Sequence, residues 1–218
     1  MGSDLTVFIE FYGLPGCGKS TVSHMIAKKL RLRGETVIEP TYDLDHKYSR
    51  GIRKTIKFVK LVRFVVFNPG RYKRLTRLIK ANGYRGLEIV SQAANIAPKL
   101  LTYEKATAHY VIFDEGLTQS AISLCQGEKN TVQNEAVLRS LCKQRTVQKF
   151  YIKVDVETAL ERMSKRDRHE SRIEKTKNAG EQREALRTFE KQCEEIDSRL
   201  IVEEIDKDEI VSFIMMQL

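Results

Sequence analysis

Near the start of the chain an apolar run closes on Gly13-Leu14-Pro15-Gly16-Cys17-Gly18-Lys19-Ser20-Thr21. A glycine, four residues and then Gly-Lys-Ser is the loop in which backbone N–H groups cradle phosphates between a strand and a helix. The flanks agree with that placement. Thr6 to Phe11 has strand composition, and Val22, Met25, Ile26 and Leu30 recur at helical spacing over Thr21–Leu30. The glycines let the backbone approach the phosphates, whose charge the helix N-terminus stabilises. Lys19 is then positioned for the β and γ phosphates, and the Ser20 hydroxyl for magnesium.

The 218 residues are read as one domain, 1–218, long enough to bury a full sheet core. Cys17, Cys125, Cys142 and Cys193 show no paired metal spacing. The sequence contains neither a signal-peptide apolar region nor a bilayer-length apolar stretch, so a reducing cytoplasm is the expected compartment. Strand-like runs recur at Leu5–Tyr12, Glu35–Glu39, Tyr110–Phe113, Val147–Val154 and, more weakly, Ile201–Asp206, with helical periodicity between them. Asn130 or Thr131 can cap a helix reaching Gln144, Asp155 one starting near Val156, and Asp206 with Glu209 resembles a capping box for the last. The expected fold is therefore α/β: a parallel five-stranded sheet flanked by helices, with ligands at the carboxyl ends of the strands.

Two of those strand ends carry carboxylates. After the second strand stands Glu39-Pro40, where a carboxylate beside a γ phosphate would accept a proton from an attacking hydroxyl or bind an acceptor; the alternative is a turn glutamate paired with a nearby base. After the third comes Asp114-Glu115-Gly116, a hydrophobic run ending in paired acids, the form of a Walker B segment. Asp114 is expected to hold magnesium through water, leaving Glu115 free to bind the acceptor or act as base, with Gln119 and Ser120 about one turn on. Beyond the fourth strand an arginine-dense segment, Arg162, Arg166, Arg168 and Arg172, suits a lid at about 162–178 whose guanidinium groups neutralise transferred charge. A charged helix with pairs such as Glu161 to Lys165 is the alternative.

Together these pieces resemble the nucleoside and nucleoside-monophosphate kinases among P-loop proteins, thymidylate and deoxynucleoside kinases above all. The resemblance rests on the Gly13–Thr21 loop, Glu39-Pro40, the acid pair after strand three, and Arg162-x-x-x-Arg166-x-Arg168 with Glu170. It implies that Glu39 is the base toward a sugar hydroxyl, as in deoxynucleoside kinases, or part of the acceptor region, as in thymidylate kinases. The chain departs from both at strand three. Those families carry Asp-Arg-Tyr or Glu-Arg-Ser there, and Glu115 replaces an arginine that contacts an acceptor phosphate or the transferring group. A different hydroxylated or phosphorylated metabolite is thus an open alternative to an ordinary nucleotide acceptor.

The second departure is a basic block. Between His46 and Leu87 stand thirteen lysines and arginines and no acid, more than the chain's net charge of +9. Arg50, Arg53, Lys54, Lys57, Lys60 and Arg63 follow helical steps, with Ile52, Ile56, Val59, Val62 and Val66 on the opposite face. Asn68-Pro69-Gly70 breaks the helix, and a second runs to Lys80 with Tyr72, Leu75, Leu78 and Ile79 on its apolar side. The expected arrangement is a hairpin insertion, about 46–87, packed through its apolar face, with the basic face turned outward to solvent, an anionic membrane or an acidic acceptor. Stacking aromatics on that face are too sparse for nucleic acid.

The sequence thus points to a kinase that uses ATP and Mg2+ to phosphorylate a small acceptor. Lys19 and the lid arginines Arg162, Arg166 and Arg168 stabilise charge, Ser20 and Asp114 hold the metal, and Glu39 or Glu115 handles the acceptor; a homodimer is compatible with this reading. The alternative is a nucleotide-dependent switch or ATPase whose basic hairpin binds a membrane or macromolecule.

Overall fold

The structure, a computed structural model, describes residues 6–125, 130–143, 145–165, 173, 178–196, 201–202 and 207–218. Its centre is a parallel sheet in the order β2-β3-β1-β4-β5. Four strands form its body: β1 (Val7–Tyr12), β2 (Val37–Ile38), β3 (Tyr110–Phe113) and β4 (Val147–Ile152). At the edge, β5 (Ile201–Val202) is a two-residue pairing against Tyr151 and Ile152. Strand β2 is shorter than its run in the sequence, because Pro40 supplies the first residue of a helix immediately after Glu39.

The first helix, α1 (Lys19–Leu32), follows the glycine loop. Then come α2 (Pro40–Lys47), α3 (Arg50–Phe67), α4 (Pro69–Ala81) and α5 (Leu87–Lys105) between β2 and β3. After β3 the chain forms α6 (Leu117–Leu124) and α7 (Thr131–Arg139), after β4 it forms α8 (Val156–Ser164) and α9 (Ala179–Glu194), and it ends with α10 (Lys207–Gln217). The side chains of Asn130 and Asp155 cap α7 and α8. Asp206 lies outside the described residues. No helix of the described residues is long and apolar enough to cross a membrane.

Both faces of the sheet are covered, as a parallel sheet requires. Alternation along β1 sends Ile9 and Phe11 toward α1, α8 and α10, and Phe8 toward α3 to α7. Phe8, Tyr103 and Phe113 stack with centroids 4.5 and 5.2 Å apart. Glu10 sits on the Phe8 side, fully buried. Arg139 clasps it with two bonds, Nη1 to Oε1 at 2.9 Å and Nη2 to Oε2 at 2.7 Å. The backbone N–H groups of Leu117 and Thr118, opening α6, donate to the same two oxygens at 3.0 Å each, and the Tyr103 hydroxyl donates to Oε1. One carboxylate thereby ties the central strand to α5, α6 and α7.

The inserted hairpin is present as α3 and α4, and α4 buries Leu75, Leu78 and Ile79 as its pattern requires. Helix α3 is rolled the other way from the expectation. Leu61 and Phe64 are buried, while the apolar stripe stands outside: Ile52 is 50% exposed, Val59 59%, Val62 45% and Val66 64%. Arg50, Arg53, Lys54, Lys57 and Lys60 line an interior cavity, which Arg63 does not. Periodicity defines two faces of a helix but leaves open which one meets the domain. Here the inner side borders a cavity of mixed polar and apolar lining, and most of the cationic side faces it.

Burial by itself would raise the Glu10 carboxyl, but the Arg139 charge and bonds, with those of Tyr103 and Thr118, lower it from its ordinary 4.5 to about 2. A depressed carboxylate stabilises the fold fully above its unfolded value, and that stability is lost as pH falls through the folded one. Glu10→Gln should therefore cost on the order of 3 kcal/mol near neutral pH. It should also flatten the decline in stability between pH 4.5 and 2. Urea unfolding across that range reads both effects; equal stability of the two proteins at pH 7 would show that the pair does not hold the layers together.

Candidate active site

Strands β1 and β3 are neighbours in register, with Glu10 opposite Phe113, so their carboxyl ends bring the glycine loop and Asp114-Glu115-Gly116 together. The loop turns at Gly13 with φ +146°, where a Cβ would run into the Ile152 carbonyl oxygen; only glycine fits that approach. The Gly13 N–H donates to Gln119 Oε1 of α6 at 3.0 Å. Lys19 is 6% exposed and folds back over its own loop, donating to the Gly13 and Leu14 carbonyls at 3.0 and 2.9 Å. Its ammonium is thus held over the loop.

Ser20, in the first turn of α1, donates from Oγ to Asp114 Oδ2 at 2.6 Å. Thr41 of α2 donates to the other oxygen, Oδ1. A hydroxyl and a carboxylate at the lip of a phosphate loop are hard oxygen donors of the kind magnesium takes, with the remaining positions left to water and phosphate oxygens. Among the described residues no group of three His, Cys, Asp or Glu could hold a metal, and a magnesium site completed by substrate phosphates needs none. Thr41 carried no signal in the sequence beyond its nearness to Glu39-Pro40.

The two candidate acceptor carboxylates have different surroundings. Glu39 is 1% exposed and does not line the cavity. Arg31 Nη1 donates to its Oε2 at 2.7 Å, and His24 Nδ1 lies 3.1 and 3.2 Å from its two oxygens. Glu39 is thus paired with side chains of α1. Glu115 is exposed and lines the cavity, close enough to Lys99 to raise that ammonium's affinity for its proton. Gly116 follows at the strand-to-helix turn, where a Cβ would collide with the Glu10 carboxylate.

The cavity, about 2060 Å3, runs from the loop and Asp114 to α2, α3, α5 and α9. It is about twice the upper size of an ordinary small-molecule pocket, enough for two substrates side by side. Arg162 is exposed on α8 and does not line it, whereas Lys165 does, with its Nζ on Glu161 Oε1 at 2.5 Å. Arg166, Arg168, Glu170 and Arg172, and with them most of the expected lid, lie outside the described residues. Cys17 is buried, 3.6 Å from Lys19 Nζ. Lys99 was not singled out by the sequence. Its Nζ donates to Ser120 Oγ at 2.8 Å and the Gly116 carbonyl at 3.2 Å.

No protein-family model matches the chain, and no curated protein matches it by sequence. Solved structures do. A deoxyadenosine kinase from M. mycoides with bound dATP is 21% identical over 96% of this chain and 97% of that one, with a TM-score of 0.54. The shikimate kinase from Acinetobacter baumannii in complex with shikimate is 17% identical over 98% and 92%, with a TM-score of 0.52. At such identities the likeness is one of fold. The chain shares the fold of these kinases, in agreement with the resemblance carried by the sequence motifs.

The clamp between Glu10 and the turn makes Gly116 sensitive to a single methyl group. Gly116→Ala should destabilise the protein by about 2–4 kcal/mol. Gly51→Ala in α3, whose Cβ would meet nothing within 4 Å, should be neutral or stabilising by up to about 1 kcal/mol. Thermal unfolding of the two variants compares them directly; an unchanged midpoint for Gly116→Ala would mean that the turn is not clamped.

Proposed function

We propose that the protein is a phosphotransferase that uses Mg2+ and moves the γ-phosphoryl of ATP to a small acceptor bound in the cavity beside the loop. The observation that carries this reading is the Ser20–Asp114 bond of 2.6 Å at the lip of the Gly13–Thr21 loop, opening on a cavity large enough for donor and acceptor. Magnesium, when bound, would supply positive charge against the charge developing on the transferred phosphoryl group. Ser20 and Asp114 would hold it, and Thr41 keeps the Asp114 carboxylate in place through Oδ1.

The chain's own residues supply the rest. Arriving phosphates take over Lys19 from the Gly13 and Leu14 carbonyls and use the loop's N–H groups as further donors. An acceptor oxygen attacks the γ phosphorus, a new O–P bond forms, and the bond to the β-bridging oxygen breaks, with ADP leaving with the electron pair. Glu115 accepts the hydroxyl proton of the acceptor and orients that oxygen. Glu39, held by Arg31 and His24, positions α2 and through it Thr41. This assigns the base to the other carboxylate from the one implied by deoxynucleoside kinases. Arg162 and the arginines beyond it remain candidates for charge stabilisation on closure. The switch reading needs the basic hairpin turned outward; five of the six cations of the α3 stripe instead line the cavity, which favours a small substrate.

Lys19→Met keeps the side chain's length and removes its charge, so phosphoryl transfer should fall by several orders of magnitude with the fold retained. Glu115→Gln should lower kcat by about 10²–10⁴-fold. Glu39→Gln should mainly reduce stability and affect kcat less. Steady-state ADP formation by the three variants checks the assignment, and a dead Glu39→Gln beside a normal Glu115→Gln would return the base to Glu39.

A further inference from the structure

The inward roll of α3 has a consequence for the acceptor. Arg50, Lys54, Lys57 and Lys60 of α3 and Lys99 of α5 all line the cavity that contains Asp114 and Glu115. Among the described residues none of these five forms an ion pair; the carboxylate nearest the stripe, Asp45, is taken by Arg53 at 2.9 Å. Lys57 Nζ donates to Asn95 Oδ1 at 3.1 Å, and Lys99 to Ser120 and the Gly116 carbonyl, so each ammonium has at least one of its three donors left over. The two are close enough to repel. Burial lowers the Lys99 pKa first and Lys57 lowers it further, against the pull of Glu115. Burial lowers Lys60 as well. Cations outnumber acids along this wall, where Glu115 stands near Lys99 and Glu181 and Glu184 line the far side on α9, and such a surplus attracts an anion.

Building on the phosphotransfer reading above, we infer that the acceptor is itself a phosphate monoester, its dianion docked on Lys54, Lys57 and Lys99 beside Glu115. A neutral acceptor would leave these charges uncompensated, and a single carboxylate would cancel only one of them. A phosphate presents three oxygens to converging ammonium donors, each bond charge-assisted. The site also answers the departure at strand three. Where the resembling kinases place an arginine after the acid, this chain has Glu115, and the positive charge toward the acceptor comes instead from α3 and α5.

The test assays nucleoside 5′-monophosphates and hexose phosphates with ATP and Mg2+ against the same compounds lacking the phosphate, following ADP. The phosphorylated members should turn over with kcat/KM at least about 100-fold above their parents. Lys54→Gln with Lys57→Gln should raise KM for the phosphorylated acceptor by about 10- to 100-fold while kcat moves by less than about threefold. Lys99→Gln should raise the same KM. Arg63→Gln, exposed and outside the cavity, should change neither constant. If the unphosphorylated parents turn over equally well, or the double variant leaves KM in place, phosphotransfer stands and this acceptor site is overturned. If ATP binds but no compound of either set accelerates ADP formation over water, the phosphotransfer reading falls, and this inference with it.

Discussion

The Glu10 carboxylate is the contact on which the geometry of the site depends. It lies within β1, the strand that also delivers the glycine loop, and it receives Arg139 from α7, Tyr103 from α5 and the first N–H groups of α6. An ionised group in so apolar a layer would be prohibitive alone, and is tolerated because every oxygen is met by donors. The consequence is positional. The turn that carries Asp114 and Glu115 is pinned at its far end, so the Ser20–Asp114 bond is set by the interior of the protein rather than by the loop.

A second dependence runs through charge. The block between His46 and Leu87 would repel itself if it were merely solvated, yet α3 aims most of its cations into one cavity and leaves Ile52, Val59, Val62 and Val66 exposed. Apolar side chains at the surface are common, whereas a concave wall of cations is not. The arrangement makes electrostatic sense when an anion occupies the cavity. On the reading proposed above it would separate two tasks, with the glycine loop meeting the phosphates of the donor and α3 with α5 meeting the acceptor.

Glu39 and Glu115 differ in their surroundings. Both are acids directly after strands at the ligand-binding edge, and by sequence the Glu39-Pro40 dipeptide had the stronger analogy. In the fold Arg31 and His24 of α1 reach across and satisfy Glu39, while Glu115 remains open to the cavity. The partners of a carboxylate decide whether it can take a proton, and those partners come from other elements.

The sequence by itself determined the local and the periodic. The glycine loop, the strand-to-helix junction at Lys19, β3 from Tyr110 to Phe113, the caps at Asn130 and Asp155, and the break at Asn68-Pro69 all follow from spacing, φ preference and capping chemistry within a few residues. Glu10 stands inside the apolar run of β1, and nothing nearby in the chain names its partner Arg139, 129 residues away. Only the tertiary structure decided that pairing, the inward roll of α3, the commitment of Glu39 to Arg31 and the place of Thr41 and Lys99 at the site. Each depends on which surfaces meet across the sheet, a long-range matter of packing and charge compensation that no local periodicity encodes.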